Sequence, residues 1–294
     1  MHPRDANISF EAGPHIYTIA GEEPEKKYTS VTTWNHQHFA HFDADAIIAK
    51  MRLNSPACKY YGQTPAQIKA GWDKNRDEAA EAGTKMHYLI ECYYNYDTSA
   101  AADTSAADTS AAADTSAAAD TSAAEDSNNP LTIIRKLLSS DLLPIELSYF
   151  HNFVVSFKTK FPQYRPYRTE WMIYHEELQL SGSVDMVFEN IVDGTLFIYD
   201  WKRAKEIKKS SPFMNFATTE CISHLPDTNF WHYTLQLNTY KAILEEKYDK
   251  KVTDLMLVVL HPDNGNYQML QVPILLKEIT DLFALRKEQL KMKI

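Results

Sequence analysis

SGSVDMVFENIVDGTLFIYDWKRA, residues 181–204, is the stretch on which the fold turns. Two runs of strand-forming residues flank Asp193-Gly194, a dipeptide suited to the positive φ of a tight hairpin. Each run carries charge where a buried strand would stay apolar: Asp185 in the first, Asp200 and Lys202 in the second. A two-residue turn at Asp193-Gly194 sets Asp185 opposite Lys202 and Asp200 opposite Val187. Because side chains alternate along a strand, Asp185, Asp200 and Lys202 then share one face. Met186, Phe188, Tyr199 and Trp201 enter the core from the other. A slip of one residue would undo this arrangement.

Such a patch has two uses. An Asp and a Lys across an antiparallel pair make an ordinary ion pair. Two carboxylates at close range, however, repel unless a cation sits between them, and oxygen donors of this kind suit Mg²⁺ or Mn²⁺. A cation so held would bind a phosphodiester oxygen and lower the pKa of a bound water. Lys202 would then orient that water or neutralise charge developing on the phosphate.

The flanking chain predicts the rest of the fold. ISFEAGPHIYTIAG (8–21) reads as a hairpin, and SVTTWNHQHF (30–39) as a helix start with Ser and Thr available as caps. Residues 64–96 read as two helices and 131–161 as another. YRTEWMIYHEEL (167–178) is strand-like, WHYTLQLNTYKAILEEKY (231–248) helical, and DLMLVVLHP (254–262) and NYQMLQVPI (266–274) strands. An amphipathic helix, LLKEITDLFALRKEQLKM (275–292), follows. Strands in the middle with helices on either side predict an α/β fold with a central mixed sheet flanked by helices. Residues 97–129 repeat DTSAA with almost no large apolar side chain. They are expected to form a disordered or weakly helical insertion interrupting a single domain over 1–294.

Two helical motifs stand beside the hairpin. AGTKMHYLIE (82–91) spaces His87 and Glu91 at i, i+4, and YTLQLNTY (233–240) does the same for Gln236 and Tyr240. Alone, the first reads as a helix-surface contact and the second as core packing. Together the order is G-x-x-x-H-x-x-x-E (Gly83, His87, Glu91), G-x-x-D (Gly182, Asp185), D-x-K (Asp200, Lys202) and Q-x-x-x-Y (Gln236, Tyr240). That ordered set resembles the PD-(D/E)XK nuclease superfamily, in the RecB-like group that includes the mitochondrial genome maintenance exonuclease. HIYTIAG followed by SVTT also looks like the usual opening of these nucleases.

The resemblance implies a restriction-endonuclease-like core with additional N-terminal helices. It implies Mg²⁺ or Mn²⁺ held by Asp185, Asp200, His87 and the main-chain carbonyl of Trp201, with Lys202 as the catalytic lysine. Glu170 and Glu91 would be supporting acids, Glu91 also a candidate metal ligand. Gln236 and Tyr240 would line the site, and Ser30 and Thr32 of SVTT would lie on the nucleic-acid side. Val184 stands where the superfamily's name has Pro, as is common in this group. Iron–sulfur relatives carry four cysteines, most of them after Q-x-x-x-Y; Cys58, Cys92 and Cys221 all precede it, so no cluster is expected.

Composition bounds these readings without choosing among them. At 294 residues, 44% hydrophobic, the chain can build one sizeable core. No apolar run approaches the roughly 18 residues that span a bilayer, and MHPRDANISF lacks the pattern of a secretory signal, so an intracellular location is expected. The net charge of −9 is concentrated: taking away the seven acids of residues 97–126 leaves −2. KRAKEIKK (202–209) sets five bases against one acid just past the proposed site. Arg203, Lys205, Lys208 and Lys209 there would contact phosphates. His36, His38 and His41 lack Cys or acidic companions at zinc spacing. No P-loop occurs, so any helicase partner or replication protein is a separate chain. The expectation is a DNA exonuclease acting on ends or single strands, in DNA repair, replication or recombination. The alternatives are a structure-specific endonuclease or RNase of the same fold, and a non-catalytic nucleic-acid-binding module.

Overall fold

The computed structural model describes residues 2–11, 13–14, 16–23, 26–103 and 144–292, with the backbone alone for 96–103. The chain opens with β1 (Ile8–Glu11) and β2 (Ile16–Ile19), an antiparallel hairpin, then β3 (Thr29–Ser30), α1 (Val31–His36) and α2 (Ala44–Ala49). Helix α3 (Pro65–Asp103) follows, then α4 (Ile145–Lys160), β4 (Tyr164–His175), β5 (Leu180–Asn190) and β6 (Leu196–Lys202). Helix α5 (Asn229–Lys247), β7 (Val252–Val259), β8 (Gln268–Gln271) and α6 (Leu276–Lys291) complete it. Among the described residues no helix is long and apolar enough to cross a membrane.

Residues 64–96, read as two helices, belong to one. Pro65 suits the first position of α3, no proline follows, and a Cβ on Gly71 or Gly83 would meet open space. Each glycine weakens the helix by about 1 kcal/mol but breaks nothing. The repeat beyond Asp103 and the helix expected over 131–143 lie outside the described residues.

The sheet is mixed and six-stranded, in the order β3-β5-β6-β7-β8 with β4 along the other edge of β5. Apolar alternation fills a core on each face. Val187, Ile198 and Leu257 pack with Trp34 of α1, Leu235 and Ile243 of α5 and Leu282 of α6. Met186, Phe188, Tyr199 and Trp201 pack with Met86 and Ile90 of α3 and Phe150, Phe153 and Phe157 of α4. The four residues read as core-facing on the second side are so placed.

The hairpin register differs from the expected one. Met186 faces Tyr199 and Val187 faces Ile198, so the pairing is shifted by two residues. The connection is the four-residue segment 191–194, closed by Gly194 N–H to the Asn190 carbonyl at 2.8 Å, with Gly194 at φ 71°. Asp193 is drawn out of a central turn position because its Oδ1 accepts from Thr195 N–H at 2.9 Å and from its hydroxyl at 2.7 Å. Continuing the register sets Asp185 opposite Asp200, not Lys202. The shift is even, so it leaves unchanged which residues of β6 face each core, and it brings Asp185 and Asp200 rather than Asp185 and Lys202 to the same level of the hairpin.

The β5–β6 ladder stops at Met186 and Tyr199, while β3 takes up the same edge of β5 only at Leu180 and Ser181. Between these, residues 182–185 have no strand on that side. β5 and β6 splay apart there, and the charged residues of both motifs lie at the opening.

Candidate active site

Past the end of the ladder, side chains satisfy the main chain of β6. Trp201 N–H donates to Asp185 Oδ2 at 2.9 Å, and the Trp201 carbonyl accepts from His87 Nε2 at 2.9 Å. His87 projects from α3. Its Nδ1 lies 3.5 Å from Asp185 Oδ2 and 3.7 Å from Glu170 Oε1. The donor atoms of His87, Glu170 and Asp185 all fall within 4.8 Å of one another.

Local backbone geometry aims this group. Thr169 pairs with Met186 and Trp171 with Val184, which sets Glu170 across from Asp185. Glu170 has φ 42°, a conformation a side chain rarely adopts. Beside it the alternation of β5 breaks: Val184 and Val187 enter the same core, although strict alternation sends residues three apart to opposite faces. Ser183 Oγ donates to Glu170 Oε2 at 2.8 Å and holds it in place.

The second half of the site is the Asp200–Lys202 pair. Asp200 is buried, with its Oδ2 2.7 Å from Lys202 Nζ and its Oδ1 3.4 Å from Gln236 Nε2. The ion pair is off the alignment of a hydrogen bond, so Asp200 Oδ2 has no aligned donor. Gln236 Nε2 also donates to Tyr240 Oη at 3.3 Å. The Lys202 ammonium stands 4.5 Å above the centre of the Tyr233 ring.

Burial and the opposite charges packed together set the protonation pattern. Burial alone would lower the His87 pKa, but the Asp185 charge and the Glu170 hydrogen bond overcome it and raise it to about 9. Burial, with Asp185 adding to it and Lys202 only partly opposing, pushes Asp200 up to about 7. Asp185 is raised by burial against the pull of His87 and Lys202. Lys202 is held above the ordinary lysine value: burial opposes, and Asp200 and Asp185 prevail. Burial and the nearby Glu170 raise Glu91.

A divalent cation fits this donor set. Two carboxylates, an imidazole and a carbonyl converge, and the carboxylates already draw a proton onto His87 for want of positive charge. His87 would offer Nδ1, the nitrogen that faces Asp185 and Glu170, while its Nε2 stays hydrogen-bonded to the Trp201 carbonyl and fixes the ring.

Other expected residues are placed differently. Glu91, one turn beyond His87, receives a long contact from Asn95 Nδ2 at 3.5 Å and is outside the three-residue cluster. Ser30 caps α1, accepting from Thr33 N–H at 3.1 Å, with the Thr32 hydroxyl 3.1 Å away. In the basic run, Arg203 pairs with Glu146 at 2.7 Å, Lys205 with Asp263 at 2.6 Å and Lys208 with Glu206 at 3.2 Å. The Lys209 ammonium lies 4.8 Å from the Phe230 ring centre. His38 is buried against the Thr219 hydroxyl, and burial lowers its pKa to about 4.

Ser183 and Tyr233 went unread in the sequence. Both had a signal: Ser183 precedes Asp185 by two on one strand, and Tyr233 precedes Gln236 by three on one helix.

Residues 54–289 match the family model of the PD-(D/E)XK nuclease superfamily, a span that holds the whole site. The chain belongs to that superfamily. Nucleases of this superfamily typically use divalent metals. No curated protein matches the chain. A solved structure titled "Crystal structure of SSO0001" is similar over 54% of this chain at 15% identity and a TM-score of 0.23. This PD-(D/E)XK chain spans 65% of that one's length, and a likeness at that TM-score carries no argument.

Proposed function

We propose that the protein is a DNA exonuclease of the RecB-like group that hydrolyses phosphodiesters at ends or in single strands with Mg²⁺ or Mn²⁺. One observation carries the catalytic part: the His87–Glu170–Asp185 cluster and the Trp201 carbonyl stand beside the pair of buried Asp200 and half-buried Lys202. The order of the four motifs supports the subgroup, and with it DNA as substrate and attack from ends. In this reading the enzyme acts inside the cell in DNA repair, replication or recombination, with any helicase on another chain.

His87, Glu170, Asp185 and the Trp201 carbonyl would hold the cation, with Asp200 next to them. The bound cation would polarise a phosphoryl oxygen and lower the pKa of a water to supply the nucleophile. Lys202 keeps its proton, so it is a donor and not a base. Its ammonium would hydrogen-bond the attacking water or a non-bridging phosphate oxygen as negative charge grows there. Asp200 and the Tyr233 ring fix that ammonium from two sides, and Gln236 fixes Asp200.

Digestion of end-labelled linear and circular substrates, single- and double-stranded, DNA and RNA, with Mg²⁺, Mn²⁺ or EDTA tests the proposal. Linear DNA is degraded from its ends, circles survive, and EDTA silences the reaction. Asp200→Ala and Lys202→Ala abolish cleavage and keep the circular dichroism of the parent. Full activity in both variants sinks the mechanism. Cut circles identify an endonuclease, and a preference for RNA identifies an RNase.

A further inference from the structure

Just beyond the catalytic strand, a groove of about 730 Å³ opens between the end of β6 and the start of α5, lined by Lys205, Lys208, Phe213, Thr228 and Asn229. Its floor is tied down. Asn229 Oδ1 accepts from Lys208 N–H at 2.9 Å, Asn229 Nδ2 donates to the Glu206 carbonyl at 2.8 Å, and Trp231 Nε1 donates to the Lys209 carbonyl at 2.9 Å.

Two independent features of the groove ask for a ligand. Helix α5, 19 residues long, begins there without a side-chain cap: the Thr228 carbonyl accepts from Trp231 N–H at 3.1 Å, but the Thr228 hydroxyl caps none of the first N–H groups at the positive end of the dipole. Thr228, at that N-cap position, is 9% exposed and its hydroxyl has no partner. Buried hydroxyls without partners destabilise a fold and are rare, so one at the wall of a groove calls for an explanation. The second feature is the rim. Phe213 is 82% exposed and Met214 78%, in a turn closed by Met214 N–H to the Ser211 carbonyl at 3.1 Å, with Met214 at φ 53°. Of the acids in the lining, Asp227 is held by His232 at 2.8 Å, and Glu206, 67% exposed, shares Lys208 at 3.2 Å and can turn to solvent when that ammonium moves to a phosphate. Exposed pairs such as Lys205–Asp263 hold weakly, which leaves the ammonium free to exchange to a phosphate.

We infer that this groove is a subsite for one nucleotide of a single-stranded nucleic acid adjoining the scissile bond. Its phosphate sits at the start of α5, within reach of the Thr228 hydroxyl, Lys205 and Lys208, and its base stacks on Phe213. The inference rests on the nuclease reading and adds to it where the strand runs.

The test measures binding of a labelled oligodeoxythymidylate to the full chain in EDTA, where nothing is cut. Hydrolysis of bis(4-nitrophenyl) phosphate with Mn²⁺, a substrate too small to use the groove, runs in parallel. Phe213→Ala weakens oligonucleotide binding about 5- to 160-fold, the range of one lost stacking contact. An oligonucleotide with abasic positions loses that factor against the parent and nothing further against Phe213→Ala. Lys208→Ala lowers the slope of log affinity against log salt by about 0.7. Thr228→Val weakens binding yet leaves the melting temperature unchanged or higher, whereas a purely structural threonine would lower it. Phe213→Ala and Thr228→Val hydrolyse the small ester at the parent's rate. Unchanged binding in Phe213→Ala and Thr228→Val overturns the inference, as does a Phe213→Ala change confined to self-association. If the parent cleaves no phosphodiester with any divalent metal, the nuclease reading fails instead, and the binding data show which of the two was wrong.

Discussion

Replacing Gly182 with alanine strikes the point where two of the motifs meet. A Cβ built on Gly182 lies 2.8 Å from Tyr240 Cε1, 3.1 Å from its Oη and 3.3 Å from its Cζ. Carbon atoms pack best at roughly 3.5–4.0 Å, so the ring must retreat by about 0.7 Å. It has little room: Tyr240 is 3% exposed in the core between α5 and the sheet. Its hydroxyl accepts from Gln236 Nε2, which also holds Asp200 Oδ1. Overpacking of this kind costs about 1–3 kcal/mol. At roughly 2–4 °C per kcal/mol, Gly182→Ala should melt about 2–12 °C below the parent. Because the strain passes through Gln236 to Asp200 and Lys202, cleavage should fall by more than the folded fraction does.

Calorimetry and urea titration give the stability, and initial rates on labelled DNA give the activity. Combining Gly182→Ala with Tyr240→Leu provides the control, since the smaller side chain vacates the space that the methyl needs. Residues in contact couple by about 0.5–3 kcal/mol, so the double variant should cost less than the two single costs summed. A Gly182→Ala protein that melts with the parent, or costs that simply add, would refute the close approach of Tyr240 to β5.

Three further outcomes follow from the site and its supports. With His87 raised to about 9, binding of a divalent cation near pH 8 should release about one proton, read by titration calorimetry in buffers of different ionisation enthalpy; metal affinity should rise about tenfold per pH unit and level off above about 9, and zero release would contradict the cluster. Tyr233→Leu should lower kcat by roughly 2- to 30-fold, the range of one cation–π contact, with Tyr233→Phe close to the parent because the ring remains; equal losses in both would disprove the role of the ring. Burial opposes ionisation of Glu176, but its hydrogen bond to Arg4 prevails and brings its pKa from 4.5 to about 2. A depressed acid contributes stability above its unfolded pKa and loses it as pH falls from 4.5 towards 2; after discounting for solvent, Glu176→Gln should remove about 1 kcal/mol at pH 7 and flatten the acid limb of the melting curve.

The hairpin shows how much of this was legible. Alternating apolar residues named the core face of β5 and β6, and those residues are where alternation put them. The turn was misread because Asp193 is as good at capping Thr195 as at sitting in a two-residue turn. Local propensity cannot weigh a side-chain bond that forms only when the loop is longer. Since the error was even, the residues of the site survived it and only their pairing changed, Asp185 to Asp200. Glu170 was read as a supporting acid, but its place against His87 depends on φ 42°, and no residue type signals that at a glutamate. The single helix α3 was missed for the opposite reason: its glycines advertise a break that the surroundings do not enforce.

The G-x-x-D and Q-x-x-x-Y motifs belong together for a steric reason. Gly182 lacks the Cβ that would expel Tyr240, Tyr240 steadies Gln236, and Gln236 holds the carboxylate that pairs with Lys202. On the same strand, Asp185 takes the N–H that β6 leaves open where the ladder ends, and the carbonyl of that residue meets His87 on α3. The splay between β5 and β6 is thus bridged by side chains from helices on both faces of the sheet. Three carboxylates at this junction, Glu170, Asp185 and Asp200, face two cations, His87 and Lys202. Lys202 is fixed by Asp200 and the Tyr233 ring, so the charge that can be exchanged is the proton on His87. A divalent cation held by Glu170, Asp185 and His87 in place of that proton would correct the deficit without moving the lysine, whose ammonium stays fixed between Asp200 and the Tyr233 ring.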